Sequence, residues 1–240
     1  ALPILAKALT LHEGNEYDCL VGTSTGSLMG PLVLTKEFGK LEEAYTSVTQ
    51  KDIFNVNPFS KKGKVSFMNF IWRAIRKKKT LGESENLLKL IPKFLTPADF
   101  DSLRAQGKEF VATVTSITNN TVEFKSTKDI AYQDMVEWIW ASGNQGVFMS
   151  LLNKDGQEWA DGGIKEFLPI SYAIEAGAKH IDIIVHKPRK FLKQGWKQEK
   201  GALDLLLRVI DILTADVGED DIANSKLKAN IDSEIKLTFY

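Results

Sequence analysis

A serine set between two glycines, in Gly22-Thr23-Ser24-Thr25-Gly26, lies early in the 240-residue chain, directly after the short apolar run Tyr17 to Val21. Apolar residues at helix-compatible spacing follow from Leu28 to Leu34. This is the G-x-S-x-G pattern of strand, sharp turn and helix, in which the turn strains the serine backbone and pushes its hydroxyl into a cleft. Gly22 and Gly26 are expected where strand and helix pass too closely for a side chain. At a helix start the N–H of Thr25 has no partner within the helix, so it is placed to hold a developing oxyanion. The chemistry that fits is nucleophilic attack on an acyl carbon. A phosphate-cradling glycine turn, or a plain strand-to-helix corner, is the bland alternative.

A serine hydroxyl needs a base to take its proton. Two residues qualify. Asp161 lies at the end of a predicted strand and is followed by Gly162 and Gly163, which lets the chain turn away and leaves the carboxylate facing open space. His186 follows the run Ile181 to Val185, and the order Ser24, Asp161, His186 is that of α/β-hydrolase triads. That fold requires several strands before its elbow, whereas only about one helix fits before Tyr17 at roughly 1.5 Å per residue. Lys187-Pro188 makes His186 a strand-end residue, and His12 and His180 read as solvated flank positions.

Composition narrows the partners. Lys plus Arg and Asp plus Glu are 31 each, a formal net charge of zero, which gives no sign of nucleic acid. The single cysteine, Cys19, excludes an intrachain disulfide framework. The three histidines do not fall at metal-ligand spacings, so neither a metal nor a cofactor is expected. There is no apolar run long enough to span a bilayer. A cytoplasmic protein with peripheral contact at a membrane is the expected setting; the chain opens on Ala1, so a leader and secretion stay open.

The positioning elements alternate. A helix is predicted over Leu2 to Leu11, then the elbow, then a helical continuation over Leu41 to Val48. From Lys61 to Lys79 there are eight basic residues and no acidic one, with Phe67, Phe70, Ile71, Ala74 and Ile75 on one helical face. That segment is either a lipid-surface helix or a helix packed on the core with a solvated basic end. Helices over Leu87 to Leu95 and Pro97 to Ala105 follow, the second capped by Thr96. Glu109 to Ile117 and Thr121 to Ser126 form a hairpin about Asn119-Asn120. Tyr132 to Ala141 is a helix, and Val147 to Leu152 with Gln157 to Ala160 a second strand pair. Leu168 to Ala176 is a helix closed by Gly177, and Ile181 to Val185 has the apolar character of a covered strand. Phe191 to Lys200 reads as a surface loop, Ala202 to Thr214 as a helix and Glu234 to Tyr240 as a strand. Alternation without repeats or linkers predicts one α/β domain over residues 1–240.

These motifs in this order resemble the patatin-like phospholipase family. Ala141-Ser142 is similar to its A-S-x-x-x-P stretch, and Asp161 to Pro169 followed by Tyr172 to Ala178 to its D-G-G, N-x-P and A-x-x-x-G-A run. The resemblance covers Ala1 to about His186. It implies a three-layer sandwich with a central, largely parallel mixed sheet covered by helices. It also implies a Ser-Asp dyad in which Ser24 is the nucleophile and Asp161 the base, acting on glycerolipids or other fatty acyl esters without histidine or metal. Thr23 and Thr25 would flank the serine, with Gly22, Gly26, Gly162 and Gly163 as supports. Family members carry a glycine-rich G-G-G-x-[RK]-G loop before their first helix that completes the oxyanion hole, and it is expected upstream of Ala1. Gly146 stands at the family's proline and Glu166-Phe167 near its asparagine. A non-catalytic lipid-binding protein of the same fold is the alternative outside the enzyme class.

Overall fold

In a computed structural model, which describes residues 4, 6, 7, 16–60, 65–185 and 202–240, the elbow is organised by one buried strand. β1 (Cys19–Thr23) runs parallel to the first five residues of β2 (Glu109–Ser116), Cys19 opposite Glu109 and Thr23 opposite Thr113. β3 (Thr121–Ser126) returns antiparallel along residues 111–116 of β2, completing the predicted hairpin. β4 (Leu152–Lys154) and β5 (Gln157–Asp161) form a second hairpin, and β5 also pairs antiparallel with Val114 to Ser116 of β2.

Since β3 occupies one edge of β2, β1 and β5 must share the other. They approach head-on, and their last residues face consecutive positions: Thr23 opposite Thr113, Asp161 opposite Val114. A strand covered on both faces reads as a near-continuous buried run, and all eight residues of β2 are buried. The result is an α/β arrangement in which helices flank a mixed sheet, as the sequence predicts.

The helices are α1 (Thr25–Leu34), α2 (Phe38–Ser47), α3 (Gln50–Ile53), α4 (Phe67–Ile75), α5 (Glu85–Phe94), α6 (Pro97–Ala105), α7 (Tyr132–Ser142), α8 (Ile170–Glu175) and α9 (Ala202–Ile231). α6 starts as its sequence dictates: the Thr96 hydroxyl accepts from Asp99 N–H at 3.2 Å, and the Asp99 carboxylate accepts from Thr96 N–H at 2.8 Å. α7 anchors the core, burying Met135, Val136, Trp138, Ile139 and Trp140. Its Trp138 ring meets Trp159 of β5 edge-on at 5.2 Å between centroids. Opening that contact by Trp138→Ala would cost roughly 3–5 kcal/mol. α7 ends at Ser142, with the Gly143 N–H turning back to the Ile139 carbonyl at 3.0 Å.

Several elements depart from the sequence reading. The strand predicted over Val147 to Leu152 begins only at Leu152, because Phe148 and Met149 N–H both turn back to the Gln145 carbonyl, at 2.9 and 3.0 Å. α8 is shorter than Leu168 to Ala176, since Pro169 precedes it. β6 (His180–Ile183) pairs in parallel with β7 (Lys236–Phe239) in a separate two-stranded sheet and does not enter the ladder of β1 and β2. It is tied to that sheet instead by the Tyr17 hydroxyl, which donates to Asp182 at 2.6 Å. α9 runs well past Thr214 to Ile231. Most of the helix predicted over Leu2 to Leu11, the loop Phe191 to Lys200 and Lys61 to Lys64 lie outside the described residues.

Candidate active site

The elbow is present and strained. Ser24 is held at φ 56° and ψ −120°, a backbone region that residues with side chains rarely adopt. Gly22 makes it possible: a Cβ there would lie 2.5 Å from the carbonyl carbon and oxygen of Gly26. Gly26, expected to be equally constrained, is not, since a Cβ on it would meet nothing within 4 Å. The close approach is thus between an absent Gly22 side chain and the Gly26 backbone, and it fixes only one of the two glycines.

The strain is held by a relay of hydroxyls. Ser24 N–H donates to Ser142 Oγ at 3.1 Å, and Ser142 Oγ lies 2.7 Å from Ser27 Oγ. Ser27 donates to the Gly22 carbonyl at 2.7 Å, so its proton is committed and Ser142 must be the donor between the two serines. The relay therefore closes both ends of the turn, from Ser24 N–H to Gly22 C=O, through two fully buried side chains. Ser27 and the orienting role of Ser142 were not read from the sequence. A serine on the inner side of an otherwise apolar helix, three residues after Ser24, was the available signal.

With its N–H spent on Ser142, Ser24 cannot itself donate to an oxyanion from the backbone. Thr25, the first residue of α1, retains an N–H with no acceptor inside the helix, and the first turn carries no acidic side chain to oppose negative charge there.

Asp161 is brought to the elbow by the meeting of β1 and β5. It is 7% exposed, and burial pushes its carboxyl up to about 6, while hydrogen bonds from the Ser24 side chain and the Gly163 N–H pull the other way. The Gly163 N–H reaches its Oδ1 at 2.8 Å. Its own N–H is fixed by the Asn144 carbonyl at 3.0 Å, two residues beyond Ser142. Gly162 cannot carry a side chain, because a Cβ would stand 2.5 Å from the Thr113 carbonyl oxygen. Gly163 is less restricted, at 3.1 Å from the Asp161 carboxylate. The turn then passes Thr23, whose hydroxyl donates to the Glu166 carbonyl at 3.3 Å.

The substitution of Glu166-Phe167 has a local reason. Asp221 of α9 accepts from both Phe167 and Leu168 N–H at 2.8 Å, and the Phe167 ring lies over Gly218. The loop after Asp-Gly-Gly is thereby clamped from the C-terminal helix.

His186 and His12 lie outside the described residues, and His180 is exposed at the start of β6. Among the described residues no cluster of His, Cys, Asp or Glu is arranged to hold a metal ion, and no helix is long and apolar enough to cross a membrane. No curated protein matches the chain. The family model for patatin-like phospholipases matches residues 4–174, well over half of the sequence. That span includes the elbow, Ser142 and the whole Asp-Gly-Gly turn, and the chain belongs to the patatin-like phospholipase family.

Proposed function

We propose that the protein is a lipid acyl hydrolase in which Ser24 is the nucleophile and Asp161 the base that serves it directly. Family membership supports lipid acyl hydrolysis in general and a lipid substrate. The observation that carries the finer reading is the head-on meeting of β1 and β5, which brings the end of the Ser24 strand to that of Asp161, close enough for the Ser24 side chain to offset part of the upward push of burial on the carboxyl. A carboxylate near 6 is ionised at neutral pH yet basic enough to take a proton during attack.

In this mechanism Ser24 Oγ attacks the acyl carbonyl carbon as its proton passes to Asp161. The tetrahedral oxyanion is stabilised by the Thr25 N–H, and collapse returns the proton from Asp161 to the departing alcohol. Asp161 then takes a proton from a water that attacks the acyl-enzyme, and Ser24 is regenerated. The substrates are glycerolipids or other fatty acyl esters, and the chemistry as drawn uses no metal.

An alkyl fluorophosphonate tests this. Covalent labelling that maps to Ser24 and disappears in Ser24→Ala and Asp161→Asn is the expected result. Failure of Ser24 to label would leave a lipid-binding protein of the same fold. His186→Ala separates the triad: activity retained near the parent level supports the dyad, and a loss as deep as that of Ser24→Ala overturns it.

A further inference from the structure

α4 turns Asn69 and Arg73 toward the rest of the protein. Asn69 sends its amide to the carbonyls of Asn57 and Leu81, at 3.1 and 3.2 Å. Arg73, 8% exposed, donates to the Thr80 carbonyl and pairs with Glu83 at 3.1 Å. The outer side carries Met68, Ile71, Trp72 and Ile75, exposed by 66, 36, 55 and 72%. Their spacing of three, four and seven residues from Met68 places them on one face. A core-packed amphipathic helix shows the opposite arrangement, so a contiguous apolar ridge is left facing outward.

Cations border this ridge. Lys79 is occupied by Glu158, and Lys78 lies 3.8 Å from the Glu83 carboxylate that Arg73 also uses. Arg76 and Lys77 have no acidic partner among the described residues, and the Arg76 guanidinium sits 4.8 Å over the Trp72 ring. No acidic residue occurs from Lys61 to Lys79. A second copy docked through the same face would set these cations against their own images. An anionic bilayer instead offers acyl chains to the ridge and headgroups to the cations.

The same segment is braced to the site. Leu81 N–H donates to the Val147 carbonyl at 2.9 Å, on the loop that runs from Ser142 through Asn144, whose carbonyl holds the Asp161 N–H. Val147 on that loop and Ile164 beside the Asp-Gly-Gly turn are also exposed apolar side chains, at 44 and 43%.

We propose that α4 docks the protein on an anionic phospholipid surface, Met68, Trp72 and Ile75 entering the acyl boundary while Arg76 and Lys77 sit among the headgroups. Its use in delivering acyl esters rests on the hydrolase reading above; the docking itself does not. The test uses the full chain as Ser24→Ala, mixed with phosphatidylcholine vesicles with and without about one-third phosphatidylserine. Expected are sedimentation with the anionic vesicles and a blue shift of tryptophan emission that Trp72→Phe removes. Arg76→Gln with Lys77→Gln should weaken binding roughly 25-fold, about fivefold per cation. Met68→Ser with Trp72→Ser and Ile75→Ser should weaken it at least about tenfold. In the Ser24 background these replacements should slow hydrolysis of vesicle lipid and leave that of a short-chain soluble ester unchanged. Vesicle binding with no soluble-ester hydrolysis would sink the hydrolase reading and leave the docking intact. Unchanged binding of the triple variant, or a dimer in solution that the triple variant dissolves, would overturn the docking.

Discussion

Ser24 and Ser142, 118 residues apart, are joined by a hydrogen bond from the backbone N–H of the first to the hydroxyl of the second. The Ser24 turn is thus shaped by the end of an aromatic core helix as well as by its own glycine. Ser142→Ala removes the middle of the relay and leaves the Ser24 N–H and the Ser27 hydroxyl without that partner. Stability should fall by about 1–3 kcal/mol, read by chemical denaturation. Labelling of Ser24 by the fluorophosphonate should slow as well, with kcat reduced more than KM is raised. A stability loss with an unchanged labelling rate would confine Ser142 to a structural role.

The raised carboxyl of Asp161 gives a pH profile. The base must be ionised to accept the Ser24 proton, so kcat/KM should be low in acid, rise through about pH 6 and level off above it. Asp161→Asn should abolish that limb together with about a hundredfold to ten-thousandfold of the activity. A profile flat between acid and neutral pH would contradict the assignment.

The same burial should make Asp161 a cost to the fold. A carboxyl raised from 3.8 to about 6 prefers its neutral form in the native state, so the folded protein loses stability as pH rises between those values. Asp161→Asn, neutral throughout and able to accept from Gly163, should therefore be more stable than the parent by about 3 kcal/mol above pH 6. The difference should vanish toward pH 4, where the parent carboxyl is itself protonated. Paired urea titrations at the two ends of that range measure it.

The two elbow glycines should behave differently. Gly22→Ala drives a methyl into the Gly26 backbone and should cost about 3 kcal/mol or prevent folding. Gly26→Ala places its methyl in open space within the first turn of α1, where alanine is favoured by up to about 1 kcal/mol. Its thermal stability should match or exceed that of the parent, so any change in turnover would report on what occupies that space during reaction.

Cys19 offers a probe of opening. Burial, with Glu109 beside it, pushes the thiol up to about 12, so little thiolate exists at neutral pH. Maleimide should react slowly with the native protein and at the rate of a free thiol in denaturant. Rapid native labelling would show that β1 opens locally.

How much of this was legible depended on whether the signal was local. The N-cap at Thr96, the hairpin about Asn119-Asn120 and the Asp161 turn are each written in a few adjacent residues, and each forms as expected. The partner of β6 is not local: Ile181 to Val185 is apolar enough for any covered strand, and only the late segment Lys236–Phe239 supplies its edge. Val147 to Leu152 misled for the converse reason, since its apolar residues pack from a turn that closes on Gln145. For α4 the periodicity fixed the helix but not which side faces out; that was decided by where Asn69 and Arg73 find acceptors. Ser24 and Asp161 could be named as candidates from their glycines, whereas the approach of their strand ends required the shared edge of β2.

The clamp between Asp221 and the Phe167-Leu168 backbone has a consequence for dissecting the molecule. The family match stops at residue 174, yet the turn bearing the buried acid is braced by a helix whose span begins at residue 202. A truncation drawn at the homology boundary would sever that brace and strand two amides. The matched span is therefore no portable cassette, and grafting it elsewhere would require the carboxyl-terminal helix to travel with it.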